Sequence, residues 1–163
     1  MMNIKVGVIS VSYTHLTMHK AKVAMVTGMG VVKEDTKNTK EVKLPTAETT
    51  TNIYLVTKER IPTGINAARQ EMSDYDDDFT SVKIGEFVGL EVYTDGEKFG
   101  TDQFKAADFG DEAEPGFAMS VGADGKWQKA TKGTSRYVFA GTMKDNGHKL
   151  VLVEVVADAV SVA

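Results

Sequence analysis

The residues best suited to chemistry in this 163-residue chain are an acidic run, a few histidines and serines, and one tryptophan. Asp74, Asp76 and Asp78 have the D-x-D-x-D opening of a calcium loop. Such a loop also needs Gly at its sixth position for a sharp turn and a bidentate Glu at its twelfth. Phe79 and Gly85 stand there, so the run reads as a solvated acidic loop. Gly28-Met29-Gly30 lacks the third glycine of a dinucleotide fingerprint, because Lys33 occupies that place and no helix follows. It reads as a turn. Zinc is not indicated: of His15, His19 and His148, the first lies in a foreign-looking leader and the last follows an Asn-Gly turn. Ser120, His148 and Asp124 could make a hydrolytic triad on paper, but no nucleophile elbow surrounds any serine. The reading is a protein without catalysis, catalytic residues, metal or cofactor. Trp127 could stack a sugar or base, or anchor a core or interface. Lys126, Lys129 and Lys132 beside it are a basic patch, or lysines that guard a strand edge.

The elements that carry these residues read as strands. Lys20 to Thr27 places Ala21, Val23 and Met25 on one face. Val31 and Val32 open a second run, whose charged tip KEDTKNTK reads as a hairpin loop with Asp35 and Asn38 making local side-chain turns. Glu41 to Leu44 and Asn52 to Lys58 follow, the latter β-branched and aromatic throughout. Ala67 to Met72 is the one short helix, too brief to stand alone. Val82 to Ile84 and Glu86 to Tyr93 resume β structure up to the Asp95-Gly96 turn. Lys105 to Pro115 is acidic and reads as a linker, so a subdomain break is expected near 105–115. Gly116 to Val121 and Lys126 to Ala130 form a hairpin, and Asn146-Gly147 joins Arg136–Met143 to His148–Ala157 in another. In the last strand Leu150 and Leu152 share one face, and Val151, Val153 and Val155 the other. Apolar residues on both faces imply burial between two layers or against a neighbouring subunit. Gly85-to-Phe99 and Gly116-to-Trp127 echo one another as glycine, apolar strand, Asp-Gly turn and Lys-aromatic pair. The fold class is all-β: a compact β-sandwich or small β-barrel with one short helix.

Composition narrows the functions. Lys plus Arg is 19 and Asp plus Glu is 23, a net charge of −4, which makes a poor general binder of phosphate backbones. Absence of Cys excludes disulfides, thiolate metal sites and Cys nucleophiles. No run of 18 apolar residues exists to span a membrane as a helix. Residues 1–17 read as a non-native leader, since Ser10 to Leu16 (SVSYTHL) resembles one translated frame of the transposon ends used in sequencing libraries. The alternative is a real strand, because VGVISVSY is rich in β-branched residues. Residues 18–163 then form a single β-rich domain.

Lys83 to Phe104 (KIGEFVGLEVYTDGEKFGTDQF), Gly116 to Thr131 (GFAMSVGADGKWQKAT) and Lys149 to Val156 (KLVLVEVV) resemble the decoration, or cement, proteins of tailed-phage capsids. Gly28 to Arg69 is similar to the front of small phage head proteins, so the resemblance runs from about Met18 to Ala157. It implies a β-rich structural virion protein without enzymatic activity, often an oligomer. Such a protein binds the outer surface of the assembled major capsid protein lattice and stabilises it against DNA pressure. It implies residence on the capsid surface, and in the host cytoplasm during assembly, with no direct nucleic-acid binding and no membrane. Two rival readings stand beside it: a carbohydrate-binding or adhesion module of a phage fibre, with Trp127 and Tyr137 as stacking residues, and a tail-tube or connector subunit.

Overall fold

The computed structural model describes residues 19–58, 80–110 and 112–162. The leader 1–17, the helix expected at Ala67–Met72 and the acidic run Asp74 to Asp78 lie outside the described residues. The described elements are twelve strands and one 3-10 turn, so the chain is mainly β. Five strands close a small barrel: β1 (His19–Ala21), β3 (Gly30–Asp35), β4 (Lys40–Lys43), β5 (Tyr54–Thr57) and β7 (Phe87–Glu91). Closure runs through a parallel pairing of β1 with β4 and an antiparallel pairing of β1 with β7. Between sandwich and barrel, this half of the chain adopts the barrel, which removes sheet edges. Its interior is aliphatic, with Ala21, Val31, Val42, Val56 and Val88 all buried. Branched side chains of this size fill a narrow barrel without leaving voids. A two-stranded pair, β2 (Met25–Val26) with β6 (Ser81–Val82), adds Met25 and Val82 to the same core.

The expected first strand is therefore two, β1 and β2, separated by a bend, yet Ala21, Val23 and Met25 do share the barrel core. At the β3–β4 tip, the hydroxyl of Thr36, rather than Asp35 or Asn38, organises the turn. It accepts from the Asn38 and Thr39 amides at 3.3 and 3.0 Å.

The C-terminal half is built differently. β8 (Lys98–Thr101), β12 (His148–Ser161) and β11 (Thr134–Asp145) make a three-stranded sheet in the order β11-β12-β8. β9 (Met119–Val121) and β10 (Trp127–Lys129) make a hairpin. The β11–β12 hairpin turns at Asn146 and Gly147, with φ of 49° and 84°. That pair of positive φ values is what an Asn-Gly two-residue loop supplies. The core here is aromatic: Trp127, Phe109 and Phe139 are fully buried, and Phe99 joins them. The rings form a chain through Trp127, with Phe99–Trp127 at 5.3 Å and Trp127–Tyr137 at 5.2 Å between centroids, and a second group in which Phe109 and Phe139 are 5.2 Å apart. Such edge and offset contacts add to area burial. Val151 and Val153 of β12 point into this core and Val155 on the same face is also buried, while Leu150 and Leu152 on the other face remain half-buried.

Two sequence expectations read differently in space. The acidic segment 105–115 folds into a 3-10 turn at Ala106–Asp108 and delivers Phe109 to the centre of the aromatic core. Its backbone is tied down by Lys105 N–H to Trp127 O at 2.9 Å, and Asp108 accepts from the Lys129 amide at 3.0 Å. The echo between Gly85–Phe99 and Gly116–Trp127 is not a structural repeat. β9 and β10 pair with each other, whereas β7 belongs to the barrel and β8 pairs with β12.

The two cores meet along β5. Ile53 and Leu55 point into the aromatic core; Tyr54 and Val56 point into the barrel core. Period-two alternation thus makes one strand a wall common to both cores. The Gly28-Met29-Gly30 turn adds a second weld. The carbonyl of Gly28 accepts from Thr101 Oγ1 at 2.9 Å and from the Trp127 indole N–H at 3.2 Å. Gly30 N–H donates to Gly125 O at 2.9 Å. A Cβ at Gly30 would collide with Val121 Cγ2, so glycine is required by close approach.

Candidate functional site

The three residues of the paper triad serve three separate local structures. Ser120 is fully buried and donates to Glu48 Oε1 at 2.8 Å. Asp124 accepts from the Lys126 amide at 3.1 Å within its own turn. His148 is exposed at the tip of the β11–β12 hairpin, opposite Asp145. Glu48 binds as a clamp: it also accepts from the Thr131 amide at 2.8 Å and from the Thr131 hydroxyl. Burial opposes its charge, but these donors hold its carboxyl below the usual range. Glu48 thereby ties the connection after β4 to the β9–β10 hairpin, a role that no spacing in the sequence signals.

His15 and His19 carry no metal reading in the sequence. His19 lies on β1, buried, with Nε2 at 3.0 Å from Asp35 Oδ1, while His15 is outside the described residues. Asp35 also accepts from Lys40 at 3.1 Å. Beside this pair, Glu34 bridges Lys22 and Lys43. Hydrogen bonds from both lysines hold its carboxyl down to about 2. These groups stitch β1, β3 and β4 together. Among the described residues no cluster of His, Asp or Glu could hold a metal ion, and no described helix is long and apolar enough to cross a membrane.

Trp127 is 0 % exposed, so it cannot offer a ring face to a ligand; of the two expected stacking residues, Trp127 and Tyr137, only Tyr137 keeps open surface. Its indole is a core anchor tied to Gly28. Of the nearby lysines, Lys129 covers Phe117, its ammonium 5.3 Å from the ring centroid, which shields an aromatic rather than building a basic patch.

A surface groove of about 430 Å3 lies where the two halves adjoin, and Tyr137 lines it together with Tyr54 and Tyr93. It was not visible in the sequence because these tyrosines come from β5, the segment after β7, and β11. All three are half-buried and keep some surface open. Two have fixed hydroxyls: Tyr93 donates to Glu91 at 2.7 Å, and Tyr137 donates to Ile53 O at 3.2 Å. Burial, and then the Glu91 carboxylate, pushes the Tyr93 phenol up to about 12, so it stays neutral. The far wall is a bulge. Between the pairs Ser135↔Val160 and Tyr137↔Val155, residues 156–159 of β12 face the single Arg136 of β11. Arg136 fills the bulge, donating through Nε to Val156 O at 3.0 Å and pairing with Asp95. Bulges commonly re-aim side chains beside binding sites. Asn52, at a left-handed φ of 55°, forms part of the rim with Thr50, Thr51 and Thr134. Asn is among the few non-glycine residues that adopt this conformation readily.

Compared with protein-family models, curated proteins and solved structures, the chain matches none of them.

Proposed function

We propose that this chain is a structural virion protein that binds the outer surface of an assembled phage capsid and stabilises it, without catalysis. The observation that carries the reading is the double weld between the two cores. β5 is buried into both, and the Gly28–Gly30 turn is bonded to Thr101, Gly125 and Trp127. A cement protein has to transmit force between capsid subunits, and two cores sharing a strand resist hinge motion between its ends. The titratable groups described above serve as structural clamps within this body, at Glu34, Asp35 and Glu48. The resemblance of Lys83–Phe104 and Gly116–Thr131 to decoration proteins supplies the partner, a major capsid protein lattice, and the oligomeric habit.

Such a protein recognises a site made by several shell subunits. Each contact is weak alone, and simultaneous engagement by an oligomer raises apparent affinity by roughly 10²–10⁴. Co-sedimentation with expanded, assembled capsids, run beside pull-down of free capsid subunits, tests this. Binding to the assembled shell is expected to be far tighter, and moderate salt to weaken it little, since a net charge of −4 gives no strong long-range field. Equal affinity for both forms, or no capsid binding, overturns the reading.

A further inference from the structure

We infer that the tyrosine-lined groove between β5 and the β11–β12 bulge is a binding site for a neutral saccharide. This goes beyond capsid attachment and does not depend on it. Its volume of about 430 Å3 falls in the range of small-molecule sites. Its lining has the two halves that a sugar ring needs. Tyr93 and Tyr137 provide apolar area for the C–H face of a pyranose, while the Tyr54 ring beside them carries the Lys33 ammonium 4.2 Å from its centroid. The hydroxyls of Thr50, Thr51 and Thr134 and the amide of Asn52 provide donors and acceptors for its hydroxyl edge.

Charge and rigidity narrow the ligand class. The cation in the lining, Arg136, is already matched by Asp95, and Lys33 beside the groove is held over the Tyr54 ring, which weakens the pull of both on a phosphate or carboxylate. The Tyr93 and Tyr137 phenols are tied to Glu91 and to the Ile53 carbonyl, and Tyr93 is stacked on Phe99 at 4.7 Å. Those rings are fixed before any ligand arrives, which lowers the ordering cost of binding. The hydroxyl-rich rim disfavours a purely apolar ligand, whose burial there would leave polar groups unpaired.

Two substitutions probe the groove from opposite sides. Ala159 is an exposed residue of the bulge wall, so Ala159→Trp fills the groove from solvent. Asn52→Gly removes the rim amide while a glycine keeps the positive φ without strain. The ligand panel is neutral di- and trisaccharides of glucose, galactose and N-acetylglucosamine, with sialylated counterparts, titrated calorimetrically against the full chain. Near-ultraviolet circular dichroism of each variant verifies the fold. Binding of at least one neutral member is expected, lost in Ala159→Trp and weakened roughly 5–10-fold in Asn52→Gly, the worth of one hydrogen bond. If Ala159→Trp fails to fold, the Asn52→Gly titration decides alone. No neutral sugar bound at millimolar concentration overturns the inference. So does binding confined to sialylated sugars, or binding unchanged in the folded variants.

Discussion

The two halves of the molecule solve the same packing problem with different side chains. The barrel of β1, β3, β4, β5 and β7 is filled with valines, whereas the C-terminal body is filled with rings centred on Trp127, Phe109 and Phe139. The difference follows from closure. A five-stranded barrel brings its walls close on all sides, which favours short branched side chains inside. The C-terminal sheets are open and bulged, and aromatic rings fill the space they enclose with few rotatable bonds. The surfaces differ too. The barrel strands are laced by the Lys22–Glu34–Lys43 and His19–Asp35–Lys40 contacts, while the C-terminal body is joined to its neighbour through Glu48 and backbone carbonyls. A chain can thus carry two cores of different composition and make them one unit, provided a strand such as β5 serves both.

The largest expected effect falls on the aromatic side. Trp127→Ala should lower stability by about 3–5 kcal/mol in urea denaturation, the range for removing a buried aromatic. A loss under about 1 kcal/mol would mean that the ring chain does not organise this half.

The comparison sharpens on β5 itself. Leu55→Ala empties the aromatic core and should cost about 2–4 kcal/mol, while Val56→Ala, one residue on, empties the barrel and should cost about 1–3 kcal/mol. Each should shift the midpoint of one common transition. If either variant instead split the transition in two, the halves would be separable.

Gly30→Ala probes the close approach of the halves. Its new methyl meets the buried Val121, so a loss of about 1–2 kcal/mol is expected from overpacking. A neutral result in thermal melts would show that the seam can yield.

Acid reports the smallest difference. Glu34 has its folded pKa depressed to about 2 from 4.5, so its ion pairs contribute above the unfolded value and are lost as pH falls between 4.5 and 2. The group is exposed, and only a shallow decline in melting temperature across that window is expected, removed in Glu34→Gln. A Glu34→Gln variant that keeps the full decline assigns it to other carboxylates.

How far the sequence was legible tracks sequence separation. The Asn146-Gly147 turn, the β9–β10 hairpin and the inward face of Val151, Val153 and Val155 are set by neighbours a few residues apart, and local patterning predicts them. Barrel closure depends on pairing Lys20 with Glu41 and His19 with Val88, which no local pattern records. Phe109 was hidden because the acidic residues around it outweigh one ring in any composition window. The groove was hidden because Tyr54, Tyr93 and Tyr137 converge only once both halves are folded. The Gly28–Gly30 turn is legible only as a turn; its work as a seam rests on carbonyls, which leave no trace in residue types.

The central claim is that the two cores, joined along β5 and the Gly28–Gly30 turn, unfold as one body. It is tested most directly by following a single urea titration with two probes. Trp127 fluorescence reports the aromatic core, and NMR amide signals of Val42 and Val88 report the barrel. Coincident midpoints and slopes are predicted, as for a two-state unit. A barrel that melts at lower urea while Trp127 remains buried would contradict the account.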